Sequence, residues 1–302
     1  MLDDLQTASG FSLDLPPAPW PDWLEDRRMD DDIVGAAYEA VPAQLRASIK
    51  TGLALAFAHF GQREDQTDAV VQKPHAGFWL ARRERPAPWC AIVMDASYAA
   101  AARLTAACAL PRLCDVPEVF ALLVSDSPDA AAHVGENVLA ALTLSGVEDV
   151  FVLTQAEATQ LLQDMAGDKA PAGPAGRVVL LHDGGPDGAL ARLGRTARDL
   201  HLPVYEEHTP PAITVLPDSP CSAALLAFAH GNITPSRTLE AHTQALAAPA
   251  PTAPQACAQR PEVEEALRRG LLVLMPDCEG FWLHPGLGPD FFMTRGLAAG
   301  ML

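Results

Sequence analysis

Basic residues are scarce in this sequence: 21 Lys and Arg stand against 38 Asp and Glu, a formal charge of -17 over 302 residues. A surface of that sign repels phosphate backbones and anionic bilayers, which argues against nucleic acid and membrane partners. No apolar run approaches the ~18 residues that a bilayer-spanning helix needs. The opening residues MLDDLQTASG are acidic where a secretory leader is basic, so the expected compartment is the cytosol. The six cysteines (Cys90, Cys108, Cys114, Cys221, Cys257, Cys278) include no C-x-x-C pair, and the nine histidines include no H-x-x-x-H pair. Neither a disulfide framework nor a local metal motif is therefore expected. A repeat of fixed period is also missing.

What the chain does have is apolar material: 49% of its side chains are hydrophobic, enough at this length for a large core. Residues 1–29 include LDLPPAPWPDW, where closely spaced prolines predict an extended arm carrying Trp20 and Trp23. Between Pro42 and Gln62, Leu45, Ile49, Leu53, Ala56, Phe57 and Phe60 recur at three- and four-residue steps, which predicts a long amphipathic helix. Short apolar runs follow at Cys90–Met94, Val119–Val124, Val150–Leu153, Val178–Leu181 and Ile213–Leu216, separated by helical stretches. That alternation predicts an α/β fold with parallel strands and helices on both faces. Ala247–Pro254, AAPAPTAP, reads as a connector, followed by a helix at Pro261–Arg269 and a strand at Leu271–Met275. The segment from Cys278 onward is rich in aromatics, Gly and Pro and reads as an irregular strip or a partner-facing surface.

The glycine turn from His182 to Gly188 is the best ligand-binding candidate among the local patterns. It follows a strand and opens a helix, where free N–H groups attract anions. Its Asp183 and Asp187 oppose a phosphate, however, and a plain βα turn also favours Gly and Asp. His230 closes a helix at Ala229-His230-Gly231, where hydrogen bonding to the last carbonyls is the structural alternative to a functional role. Glu206, Glu207 and His208 form either an acid/base cluster or an exposed turn. Gln155 and Glu157 open a helix, where an acidic side chain also serves the helix dipole.

Taken in order and spacing, these segments resemble histidinol dehydrogenase, a zinc- and NAD-dependent family, from about residue 40 to 295. Val41-Pro42-Ala43-Gln44-Leu45-Arg46 with Ala58-His59-Phe60 is similar to the family's long N-terminal helix. Gly77-Phe78-Trp79-Leu80 through Arg85-Pro86 is similar to its next hairpin, and Ala109-Leu110-Pro111 with Asp115-Val116-Pro117-Glu118-Val119 to a following stretch. Asn137-Val138-Leu139-Ala140-Ala141, then Ser145-Gly146-Val147-Glu148-Asp149-Val150-Phe151, is the best local match. The resemblance implies two Rossmann-like lobes with largely parallel sheets, one inserted into the other. The expected division is an arm at 1–29, a first lobe from 30–94 plus 204–302, and an inserted lobe at 95–203. A ligand is expected in the cleft between them, at the strand C-termini.

The family's chemistry is not matched. Glu157 stands at the glutamine near the nicotinamide, and the turn containing Asp183, Gly184, Gly185 and Gly188 replaces a Gly-Pro-Gly-Asn turn. Those five residues are the expected cofactor-facing positions, with NAD the cofactor the resemblance leaves open. Thr209-Pro210-Pro211-Ala212 lacks the serine and glutamate of a substrate-contacting motif. His230 is the single matching zinc-ligand position, and Asp290-Phe291 occupies the place of the Glu-His acid/base pair. The sequence ends at Leu302, before the family's remaining zinc ligands, so zinc is not expected. With metal polarisation and the proton acceptor gone, the expectation is a non-catalytic module binding a small molecule or a partner. The alternative is an NAD-dependent oxidoreductase of altered substrate and mechanism, using Asp183, Glu157, Asp290 or His230. A third reading is a structural subunit docking through the Trp20/Trp23 arm and the Phe281-Trp282 to Phe291-Phe292 tail. By analogy with the family, a homodimer is expected.

Overall fold

A computed structural model describes residues 20–61, 68–127, 134–166, 176–182, 188–207, 212–231, 233–248 and 260–301. A 3₁₀ turn (Asp22–Arg27) leads into helices α1 (Asp31–Ala40) and α2 (Ala43–Phe60), then the hairpin β1 (Asp68–Lys73) and β2 (Phe78–Pro86). Strands and helices then alternate: β3 (Trp89–Asp95), α3 (Ala101–Leu113), β4 (Glu118–Val124), α4 (Glu136–Leu144), β5 (Val150–Leu153), α5 (Gln155–Ala166), β6 (Arg177–Leu181), α6 (Ala189–Asp199) and β7 (Val204–Glu207). The remainder is β8 (Ile213–Val215), α7 (Ala223–His230), β9 (Ala245–Ala247), α8 (Pro261–Arg268), β10 (Leu272–Leu274), a 3₁₀ turn (Pro289–Phe292) and β11 (Met293–Met301).

Strands β3 to β7 form one parallel sheet in the order β5-β4-β3-β6-β7. Because the pleat has period two, alternate residues serve different cores. Cys90, Ile92, Met94, Val119, Ala121 and Leu123 face α2, α3 and α4, whereas Ala91, Val93, Phe120, Leu122, Val178 and Leu180 face α5 and α6. Burial on both faces explains why these strands read as continuous apolar runs. A smaller parallel sheet has the order β10-β9-β8, and Ala245, Ala247, Ile213 and Val215 share its core with Leu226 of α7 and Trp282. The fold is therefore α/β with two parallel sheets, as the alternation predicts.

Several local expectations are corrected. The arm is not all extended: Trp20 and Leu24 are buried on the α5–α6 side of the large sheet, with Trp20 edge-on to Phe120 and Phe151. The aromatic tail is not a free docking strip either, because Trp282 and Phe292 are buried core residues. The expected connector Ala247–Pro254 begins inside β9: Ala247 closes the central strand of the small sheet, while 249–254 lies outside the described residues. Finally, Val204–Glu207 extends the large sheet and Met293–Met301 pairs antiparallel with β2. On α2 the buried face is Ser48, Ile49, Gly52 and Ala56, and Phe57 is exposed. The cause is a close backbone crossing: a Cβ on Gly52 would lie 2.1 Å from the Gly280 carbonyl oxygen. The large sheet takes in strands beyond both the 95 and 203 boundaries.

Candidate functional site

Sheet order reverses at β3, whose neighbours are β4 and β6. In open parallel sheets that reversal leaves a crevice beyond the strand C-termini where ligands commonly sit. Here a cavity of about 260 Å³ occupies it, lined by Asp95 and Ser97 after β3, Ser125 and Asp126 after β4, Gln155 at the start of α5 and Ala189 at the start of α6. The Asp126 carboxylate accepts from the Gln155 backbone N–H at 3.1 Å. Thr154 and Glu157 form a reciprocal capping box: the Thr154 N–H donates to Glu157 at 2.8 Å, and the Glu157 N–H donates to the Thr154 hydroxyl at 3.2 Å. Glu157 also pairs with Arg27 at 2.8 Å. The Thr154 N–H, with Arg27, holds its carboxyl below the usual range.

These contacts decide how well the crevice suits a dinucleotide. The start of α5 would normally offer its free N–H groups to a pyrophosphate. In this chain Asp126 and Glu157 already take N–H groups there, and the crevice lining brings Asp95 and Asp126 but no Lys or Arg. The described residues therefore fit an NAD phosphate poorly. Gly188 is the N-cap of α6; Asp183, Gly184, Gly185, Asp187 and His208 lie outside the described residues.

A second polar cluster seals the seam between the two parallel sheets. Arg103, fully buried on α3, grips the Glu207 carboxylate of β7 with two guanidinium nitrogens, Nε at 3.0 Å and Nη2. His284 Nδ1 lies 3.4 Å from the same carboxylate, and its Nε2 donates to the Arg103 carbonyl at 2.7 Å. Burial alone would raise the Glu207 carboxyl, but His284 and Arg103 outweigh it and hold the group down at about 2. Glu206 turns to the other face of the strand and pairs with Arg198 at 2.6 Å. Glu206 and Glu207, for which an exposed turn and an acid/base cluster were both open, thus lie on a strand whose last residue, Glu207, is buried, and their carboxylates have separate partners. Sequence reasoning missed Arg103 because nothing local to Ala101–Leu113 signals a partner so distant in the chain.

His230 joins the same seam. Its ring is 0% exposed, lies edge-on to Trp282, and donates through Nε2 to the Glu279 carbonyl at 3.0 Å. Burial pushes it down to about 4, so the ring is neutral at physiological pH. Nδ1 keeps a lone pair with no hydrogen-bond partner. Cys221 lies beside the Glu279 carboxylate, and burial with that charge pushes its thiol up to about 12. Among the described residues no three His, Cys, Asp or Glu side chains converge as a metal-ligand set, and His230 spends one nitrogen on a backbone carbonyl. The described seam does not fit zinc.

Asp290 and Phe291 are elsewhere. Asp290 is exposed and pairs with Arg295 at 2.7 Å. Phe291 sits under Arg177, which opens β6; the guanidinium donates to the Phe291 and Met293 carbonyls and lies 5.9 Å from the Phe291 ring centroid. This is the N-terminal end of the parallel strands, whereas Glu157 and Gly188 are at the C-terminal end. Among the described residues the structure does not bring the acid/base candidates Glu157, His230 and Asp290 together.

No family model and no curated protein matches this sequence. Among solved structures, the histidinol dehydrogenase from Elizabethkingia anophelis aligns with a TM-score of 0.55 over 93% of this chain and 78% of that one, at 11% identity. An aldehyde dehydrogenase from Brucella melitensis (TM-score 0.33, 11% identity, 79% of this chain and 55% of that one) and an NAD+-bound betaine aldehyde dehydrogenase from Staphylococcus aureus (0.35, 12%, 62% and 39%) align more loosely. The latter two bear on nothing further, since the chain spans about half or less of their length. The first likeness carries the conclusion: this chain has a divergent histidinol dehydrogenase-like fold.

Proposed function

We propose that the chain is a non-catalytic binding module on that fold, taking a small molecule at the crevice between β3, β4, α5 and α6. The observation that carries this reading is the dispersal of the reactive side chains. Glu157 caps a helix, His230 is buried and neutral, and Asp290 is tied to Arg295 at the opposite end of the sheet. Dehydrogenation of an alcohol needs a proton acceptor and a hydride acceptor held in register, and no such pair assembles among the described residues. The division into a first lobe from 30–94 plus 204–302 and an inserted lobe at 95–203 belongs to the same proposal. So do NAD as an open ligand and the cytosol as the compartment; for the latter the support is that no described helix is long and apolar enough to cross a membrane.

The deciding measurement pairs turnover with thermal shift. Histidinol, NAD and zinc together give no NADH above background, while a panel of NAD, NADP, zinc, histidinol and amino alcohols contains a compound that raises Tm. A ligand present at 100 times its Kd adds about 2.7 kcal/mol to stability. NADH production above background, abolished by Asp290→Asn or His230→Gln, overturns the reading in favour of an oxidoreductase of altered chemistry.

A further inference from the structure

Glu206, Glu207 and Glu279 carry carboxylates largely closed to water, and they differ in how that charge is met. Glu207 is gripped by Arg103 and His284, and the Glu206 side chain pairs with Arg198. Glu279 is 4% exposed, and among the described residues no Lys, Arg or His side chain pairs with its carboxylate. Its Oε2 is buried and accepts no hydrogen bond. The Cys221 thiol lies against the carboxylate but brings no positive charge. A buried carboxylate without a cation is among the costliest arrangements in a folded chain, and this chain has few basic residues to supply one, 21 against 38 acidic.

The surroundings indicate what meets the charge. Cys221 lies in the loop between β8 and α7, one residue before the Ser222 N-cap, and Glu279 lies in the loop that leaves β10. Both loops stand beyond the carboxyl ends of the small parallel sheet, the end at which α/β folds hold ligands. His230 fixes the second loop by donating to the Glu279 carbonyl at 3.0 Å, and half-buried Cys221 is the side toward solvent. With the thiol on the carboxylate and Oε2 left to accept, a compact donor fits, whereas the flat fork of a guanidinium calls for both oxygens. We propose that Glu279 and Cys221 form a binding site for the primary ammonium group of a small amine, which donates to Oε2 and neutralises the carboxylate. The site is separate from the crevice of the large sheet, needs no metal, and stands whether or not that crevice binds a ligand.

Thermal shift and calorimetric titration of the full chain with methylammonium chloride at neutral pH test it. Sodium chloride holds the ionic strength, and tetramethylammonium, of the same charge but without an N–H, is the control. The expected result is a saturable rise in Tm with methylammonium alone. Glu279→Gln removes the charge in place and weakens binding at least about tenfold, with an unchanged circular dichroism spectrum. Cys221→Lys brings its own ammonium to the carboxylate, so its Tm no longer responds to the amine; because it leaves the acid in place, it carries the test where Glu279→Gln does not fold. A wild-type Tm indifferent to methylammonium overturns the proposal. So does an equal response to tetramethylammonium, or a response that survives Glu279→Gln. Infrared spectra showing a protonated carboxyl that disappears in Glu279→Gln overturn it as well, because a proton then meets the charge.

Discussion

Two sheets of this molecule, one of nearly unbroken apolar strands and one of strands that mix apolar and charged residues, differ in what their polar groups are asked to do. In the β3–β7 sheet every residue of β6 is buried, and so is every residue of β3 except its last, Asp95. Charged groups at its margins, such as Arg103, Glu207 and Arg177, are matched to specific partners. In the β1-β2-β11 ribbon, five of the nine residues of β11 in a row are exposed, and the charges are surface ion pairs such as Arg82 with Glu84 at 2.7 Å. The difference teaches that stability resides in the sheet, where unpaired charge is prohibitive, and that the ribbon adds little to it.

The largest test of that contrast is Arg103→Met. It strands the Glu207 carboxylate in the seam, and breaking a buried pair from one side costs about 3–5 kcal/mol. Urea unfolding should show the loss in full. Adding Glu207→Gln should recover much of it, because the cost lies in the orphaned charge rather than in the pair itself. A single variant that unfolds like wild type would place the seam outside the stabilising core.

Next in size is the response to acid. Glu207 falls from an ordinary 4.5 to about 2, so its contribution is present above pH 4.5 and lost as pH falls through about 2. His230 falls from 6.5 to about 4. The unfolded chain therefore takes up that proton first, and stability declines as pH drops from 6.5 toward 4. Each shift corresponds to about 3 kcal/mol. His230→Gln should remove the upper limb of the decline in urea midpoints and leave the lower one; a decline unchanged between pH 6.5 and 4 would assign it to another group.

How much of this was legible in the sequence follows from the same physics. Strands buried on both faces announce themselves as unbroken apolar runs, so β3 to β6 and the helices between them could be read directly. Strand β7 could not, because Val-Tyr-Glu-Glu has its carboxylates inside, satisfied by Arg103 and Arg198 from other elements. Strand β9 hid in an alanine-rich stretch, and β11 in a glycine-rich one that takes its conformation from pairing with β2. At the candidate site, the helical role of Glu157 was legible as Thr154-x-x-Glu157, the spacing of a capping box. The burial of His230 against Trp282 depends on a loop some fifty residues later and leaves no local signal.

A smaller effect separates the helical and cofactor roles of that capping box. Thr154→Ala removes the hydroxyl that accepts from the Glu157 N–H, which should cost ~1 kcal/mol in stability. If Thr154 and Glu157 serve only the start of α5, the variant shifts the urea midpoint and leaves any Tm rise given by NAD unchanged. A selective loss of the NAD response would return Glu157 to the ligand.

The smallest expected effect on stability draws the contrast most sharply. Leu297→Lys replaces an apolar side chain that water already reaches over most of its surface, so the folded chain loses little on unfolding that it did not already expose, and the change should lie within about 0.5 kcal/mol. Leu122→Lys, the same replacement in β4 where the side chain is 0% exposed, buries an ammonium without a partner, a cost large enough to prevent folding. Urea unfolding of the two variants side by side measures the difference directly. Equal costs would mean that the ribbon is as much a part of the core as the sheet, and that its apolar face is covered within one chain.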